Sequence, residues 1–201
     1  MRDRIEELSS AFNRFPGIGP RQAKRFVYHL LAVPQGDRNR LADLIANLGN
    51  DVRQCRLCLR FAPTNADTLC NYCADQNRTD AMLMVIEKDQ DLVAVERAGT
   101  YRGRYFVLGG VLTLSGKGAI RERDLIRVVE ERAKTGLSEI VLALSATSEG
   151  EHTADRVREV LAPLRGSILI SELGRGLATG SELEYADSAT LSAALQNRKE
   201  T

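Results

Sequence analysis

The chain has 201 residues, 43% of them hydrophobic, with 28 Lys or Arg against 27 Asp or Glu and a formal net charge of +1. No apolar stretch approaches the roughly 18 residues of a membrane span, and Met1-Arg2-Asp3-Arg4 leads into a charged amphipathic segment rather than a signal-peptide core. These features predict a soluble, cytoplasmic protein with reduced thiols and enough core for one domain or two small ones. The charge is uneven, because Arg2, Arg4, Arg14, Arg21, Lys24 and Arg25 crowd the first 25 residues. That points to a polyanion partner for the N-terminal part alone.

From Arg4 to Phe15 the residues Ile5, Leu8, Phe12 and Phe15 recur at helical steps, and Pro16-Gly17-Ile18-Gly19-Pro20 then breaks the helix. A second helix is predicted over Arg21–Leu31, and a third over Arg38–Gln54 with Leu41, Leu44, Ile45, Leu48 and Val52 inward. The turn between the first two helices uses Gly17 and Gly19 for tight backbone conformations and sets free N–H groups at a helix start, an arrangement suited to phosphate. Arg21, Lys24, Arg25 and Tyr28 fall on one side of the second helix, opposite Ala23, Phe26, Val27 and Leu30. The turn, the helix dipole and the aligned cations together favour backbone binding to DNA with little sequence preference over a plain helix turn with a solvated face. His29, beside the apolar face, reads as packed rather than as a ligand.

All four cysteines stand in two pairs, Cys55-Arg56-Leu57-Cys58 and Cys70-Asn71-Tyr72-Cys73, separated by the 11 residues Leu59–Leu69. Two knuckles at this spacing form a tetrahedral zinc site. Four thiolates leave no open coordination position, so the zinc is expected to staple the fold rather than run a reaction. Disulfides and a redox pair are the alternatives, and nothing around the pairs resembles a secreted or thioredoxin-like setting.

Beyond Asp80 the pattern changes. Strand-length apolar runs at Met82–Ile86, Tyr105–Leu108, Ile140–Leu144 and Ile168–Ile170 alternate with helical patterns at Leu92–Ala98, Asp124–Lys134 and Thr153–Leu164. The expected result is an α/β unit with a mostly parallel sheet covered on both faces, beginning near residues 75 to 80. Glu87 closes the first strand at the carboxyl edge, where such sheets present ligands. Glu149-Gly150-Glu151 follows the third; if extended, it aims both carboxylates to one side, and with Glu87 they can hold Mg2+. A solvated loop end gives the same sequence. There is no paired His, no nucleophile motif and no Walker A sequence.

The glycine hairpin, the cysteine knuckles, Val95-Glu96-Arg97-Ala98-Gly99-Thr100-Tyr101-Arg102-Gly103, Val107-Leu108-Gly109-Gly110, Glu149-Gly150-Glu151-His152-Thr153-Ala154, Gly174-Arg175-Gly176-Leu177 and Leu183-Glu184-Tyr185-Ala186-Asp187 follow one another along nearly the whole chain. In that order they resemble the bacterial recombination mediator family RecR. The resemblance implies a helix-hairpin-helix domain over 1–54, a four-cysteine zinc finger over 55–78, a Toprim domain over 79–172 and a C-terminal oligomerisation segment over 173–201. It further implies a non-catalytic, ring-like clamp assembled from dimers into tetramers. Such a clamp binds single- and double-stranded DNA at gaps and acts with RecO and RecF to help load RecA. On this likeness Arg21 and Arg25 match the DNA-binding cations, and Glu87, Glu149 and Glu151 match the Toprim acidic positions that face RecO. Toprim enzymes usually carry Asp-x-Asp, so the longer Glu149 and Glu151 weaken the case for a Mg2+-dependent enzyme. Phe106 stands where members often have His, and Ser115–Ile120 is looser than the usual loop.

Overall fold

The computed structural model describes residues 3–63, 68–116, 118–164, 166 and 168–198, without the side chain of Asp51. Arg2, Lys117 and the last three residues, named above, lie outside the described residues. The chain divides into two compact units, 1–52 and 53–201.

The first unit is helical: α1 spans Arg4–Phe12, α2 Pro20–Ala32 and α3 Gln35–Asp51. Asp3 caps α1 by accepting the Ile5 N–H at 2.9 Å, and Pro20 opens α2 at the position where a missing N–H costs nothing. α1 lies against α2, with the Phe12 ring edge-on to Phe26 at 5.7 Å and with Ala23 and Val27 buried. The inward face expected of α3 is instead outward. Leu44, Ile45 and Leu48 are 61%, 65% and 67% exposed, because two short helices cannot cover a 17-residue apolar stripe. What remains is an apolar groove of about 460 Å3 lined by Leu8, Phe12, Phe15, Leu31, Leu41 and Ile45. His29, expected to be packed, is exposed on α2.

The second unit is built on four parallel strands, β3 (Met82–Ile86), β4 (Arg104–Val107), β5 (Glu139–Ala143) and β6 (Leu169–Glu172), in the order β4-β3-β5-β6. A two-stranded piece, β1 (Val52–Gln54) and β2 (Phe61–Pro63), and the single turn α4 (Asn71–Ala74) precede it. Helices α5 (Asp89–Ala98), α6 (Glu122–Ala133) and α7 (Ser148–Leu161) connect the strands, and α8 (Ser188–Gln196) ends the described chain. Both faces of the sheet are buried, which is why its strands read as continuous apolar runs. The two-residue pleat divides the side chains. Leu83, Val85, Phe106, Ile140 and Leu142 join Leu125, Val128, Val129, Val157 and Leu161 of α6 and α7 in one core. Met84, Ile86, Tyr105 and Val107 join Leu92 of α5 and all four cysteines in the other.

Glu149-Gly150-Glu151 is helical, not extended. The Thr147 hydroxyl accepts the Gly150 N–H at 3.1 Å and starts α7 at Ser148, so the alternation that would have aligned the two carboxylates is replaced by a turn of about 100° per residue. A Cβ on Gly150 would collide with the Ser145 carbonyl at the end of β5. Gly150→Ala is therefore expected to lower stability by about 1–3 kcal/mol, seen as a lower urea midpoint at unchanged slope.

Candidate metal centre and nucleic-acid hairpin

The Sγ atoms of Cys55, Cys58, Cys70 and Cys73 lie within 4.8 Å of one another, and all four residues are buried. Among the described residues they are the one group of three or more Cys, His, Asp or Glu gathered this closely. The backbone prepares each knuckle: the Leu59 N–H reaches the Cys55 carbonyl, the Cys73 N–H reaches that of Cys70, and the Cys70 N–H points at Cys55 Sγ at 3.4 Å. Four sulfurs so close cannot all ionise without a cation. Hydrogen bonds from Cys58, then Cys70 and Cys73, hold the Cys55 thiol far below its ordinary range, and its contact with Cys55 pushes Cys58 up. A divalent ion with tetrahedral thiolate preference fits this donor set.

The cluster is registered on the sheet by residues that the sequence patterns did not single out. Leu59 takes a left-handed φ of +60°, a costly conformation for a leucine, and its side chain enters the α6 and α7 core. The Leu59 carbonyl accepts Gln54 Nε2 and Arg121 Nη1, each at 2.9 Å, and Arg121 also donates to the Val107 carbonyl of β4. From β4, Arg104 donates Nη1 to the carbonyls of Tyr72, Cys73 and Asp75 and Nε to Asp80, which also receives Arg132. One guanidinium thus satisfies the open end of α4.

Arg78 lies between the rings of Tyr72 and Tyr105, its guanidinium carbon 4.8 and 5.5 Å from their centroids. It donates to the Gly103 carbonyl and pairs with Glu96 of α5 at 2.6 Å. Burial works against the Arg78 charge, but Glu96 outweighs it and the net shift is upward. Burial, reinforced by the hydrogen bond to Glu96, likewise pushes Tyr105 up. The one sequence signal for this wiring was charge inside otherwise apolar or glycine-rich stretches, as at Arg104.

The hairpin has the expected backbone. Gly17 sits at φ +76°, and Gly19, extended, precedes the first residue of α2. Arg21, Lys24, Arg25 and Tyr28 are exposed opposite buried Ala23 and Val27. The cations are not equivalent. Lys24 Nζ is 2.7 Å from Glu6 of α1, whose hydrogen bond raises the lysine pKa. Arg25 touches only the neutral Gln22, and Arg21 has no ion pair among the described residues.

At the carboxyl edge of the sheet Glu87 is 5% exposed, and its Oε1 accepts the Ser145 N–H at 2.6 Å. Glu149 and Glu151 lie on the exposed first turn of α7, where Glu151 is held by Arg175 at 2.5 Å. The three carboxylates are thus placed at one edge of the sheet without meeting as a metal-binding group.

A helical hairpin with exposed cations, a buried four-cysteine cluster and a parallel α/β sheet with an acidic edge are the parts of a helix-hairpin-helix protein that carries a Toprim-type sheet. Family models match accordingly: the RecR helix-hairpin-helix at residues 5–48, the Toprim domain at 81–172 and the RecR C-terminal region at 176–199. Proteins named "Recombination protein RecR" match along nearly their whole length. The one from Cutibacterium acnes is 36% identical over 96% of this chain and 94% of its own, that from Paracoccus denitrificans 37% over 98% and 96%, and that from Cereibacter sphaeroides 40% over 97% and 96%. The chain belongs to the RecR family.

Elemental analysis of protein purified without chelator is expected to find one divalent metal per chain, released as falling pH protonates the thiolates. Cys70→Ser should lose the metal and lower the melting temperature of the second unit. A metal-free variant that melts like the parent would contradict the structural role.

Proposed function

We propose that this protein is a non-catalytic, DNA-binding subunit of a recombinational-repair clamp, with structural zinc at Cys55, Cys58, Cys70 and Cys73. The observation that carries the DNA reading is the glycine hairpin with Arg21 and Arg25 exposed, and without an ion pair among the described residues, at the start of α2. It offers backbone N–H groups, a helix N-terminus and two free guanidinium forks to a phosphodiester backbone, and no evident base-reading group, so single- and double-stranded DNA are both bound without sequence preference. Gly17 and Gly19 set the turn, Arg21 and Arg25 make the contacts, and Lys24 contributes less because Glu6 already neutralises it. The relatives' name supports the role in recombination.

In this reading the chain occupies 1–54 with the DNA-binding domain, 55–78 with the zinc finger, 79–172 with the Toprim domain and 173–201 with a subunit-packing segment. Self-association into dimers and tetramers is supported by the apolar side chains left uncovered on α3 and, in the C-terminal segment, by Leu183, Leu195 and Tyr185, the last 80% exposed. Glu149 and Glu151 form an acidic docking edge for RecO rather than a Mg2+ centre, with buried Glu87 holding the Ser145 N–H behind them, RecF acting alongside and RecA loading as the outcome. The recombination role of the relatives supports work at the nucleoid in the cytoplasm; among the described residues no helix is long and apolar enough to cross a membrane.

Anisotropy titrations of a labelled gapped duplex over a range of salt test the hairpin. Arg21→Ala with Arg25→Ala should weaken binding and reduce the slope of log K against log salt by about two units, one per lost phosphate contact, with Lys24→Ala doing less. Unchanged affinity in the double variant would sink the assignment. With Mg2+ the DNA should stay intact on a denaturing gel, whereas fragments that disappear in Glu87→Ala would make the edge an active site. Light scattering should give a mass above that of a monomer, reduced by Leu44→Glu with Leu48→Glu.

A further inference from the structure

The segment Arg53-Gln54-Cys55-Arg56-Leu57-Cys58-Leu59-Arg60-Phe61-Ala62-Pro63 carries three arginines and no carboxylate. Arg60 is held in a distinct way. Its guanidinium carbon lies 4.9 Å from the Tyr72 ring centroid, and its Nη1 reaches only the amide oxygen of Asn71, at 3.5 Å. Arg78, Arg104, Arg132, Arg156, Arg158 and Arg175 all sit on carboxylates, whereas Arg60 has no ion pair among the described residues. The next residue, Phe61, begins β2 with its ring 57% exposed, and its N–H is fixed on Asp89 Oδ1 at 2.9 Å. Phe61 and Tyr185 carry the exposed aromatic rings among the described residues of this unit.

A guanidinium held on Tyr72, with no ion pair among the described residues, and the exposed phenylalanine that follows it in the chain on the cysteine knuckle supply the two parts of a single-strand nucleic-acid contact. The cation takes a phosphate and the ring takes the face of an unpaired base. The guanidinium is ordered in advance by Tyr72 and the Phe61 backbone by Asp89, which reduces the entropy lost on binding. Asp89 opposes a phosphate there, with the Arg60 guanidinium set against it. A duplex cannot use the ring, because its bases are already stacked on one another. We propose that Arg60 and Phe61 form a second DNA contact, selective for single strands and separate from the α1–α2 hairpin. This rests on the DNA-binding reading above and adds to it a site on the metal knuckle.

The chain contains no tryptophan, so Phe61→Trp places one reporter at the site. In the full-length, metal-loaded protein its emission should be quenched by oligo(dT), saturating with the anisotropy of the labelled oligonucleotide. Phe61→Ala should weaken oligo(dT) binding about fivefold or more, the low end for one stacked base. Arg60→Ala should cut the oligo(dT) salt slope by about 0.7 unit, and Phe61→Ala should leave affinity for blunt duplex unchanged. Oligo(dT) that binds without altering the emission, while Arg21→Ala with Arg25→Ala abolishes binding, would overturn the knuckle site and leave the hairpin reading intact. Emission that changes when the protein alone is diluted would mean that a second copy covers Phe61, and would also overturn it. Failure of any DNA to bind would remove both.

Discussion

The packing of four thiolates against the sheet is the constraint on which the second unit depends. A parallel sheet needs cover on both faces, and here α6 and α7 supply one face while α5 covers only part of the other. The rest of that face, around Met84, Ile86, Tyr105 and Val107, is closed by the cysteine knuckles. The knuckle segment has almost no apolar core of its own, so it cannot hold this shape on side-chain burial alone. Metal coordination, worth about 10 to 16 kcal/mol in small zinc peptides, is of the size required. The four-cysteine cluster is therefore part of the sheet's core, and the sheet in turn buries the sulfurs.

Arginine fixes the register between these two parts. Arg104 satisfies three carbonyls at the end of α4, Arg121 ties the Leu59 carbonyl to β4, and Arg78 fills the space between Tyr72, Tyr105 and Glu96. Buried charges of this kind need not add stability relative to an apolar filling, but removing one partner leaves an uncompensated charge that costs about 3–5 kcal/mol. They select one docking of knuckle on sheet. At Arg21 and Arg25, by contrast, no acid among the described residues pairs with the guanidinium, which leaves the charge available to the polyanion proposed above.

The elements whose signal is local were legible in the sequence. The runs Met82–Ile86 and Ile140–Leu144 became β3 and β5 nearly as read, and the cysteine spacing pointed to a cluster that the fold does assemble. The buried Ala23 and Val27 face of α2 followed from helical periodicity. Besides His29, which is exposed rather than packed, two readings failed for physical reasons. The stripe on α3 has the same periodicity as a buried one, and periodicity cannot reveal whether a partner lies within the chain. At Glu149–Glu151 the alternation of carboxylates was compatible with an extended segment, but Thr147 is a good helix cap and its hydroxyl decides the outcome. Arg104 showed in the sequence only as a charge inside an apolar run, and the roles of Arg78, Arg104 and Leu59 could not be read because they depend on contacts across 18 to 32 positions or on an unusual φ.

Hydrogen exchange of the full chain before and after removal of the metal addresses the shared core directly. If knuckle and sheet form one cooperative structure, stripping the metal will accelerate exchange in β4, α5 and the end of β3 together with residues 55–75, while the amides of α1 and α2 keep their protection. Acceleration confined to residues 55–75, with β3 and β4 as protected as before, would contradict it and make the knuckle an independent appendage.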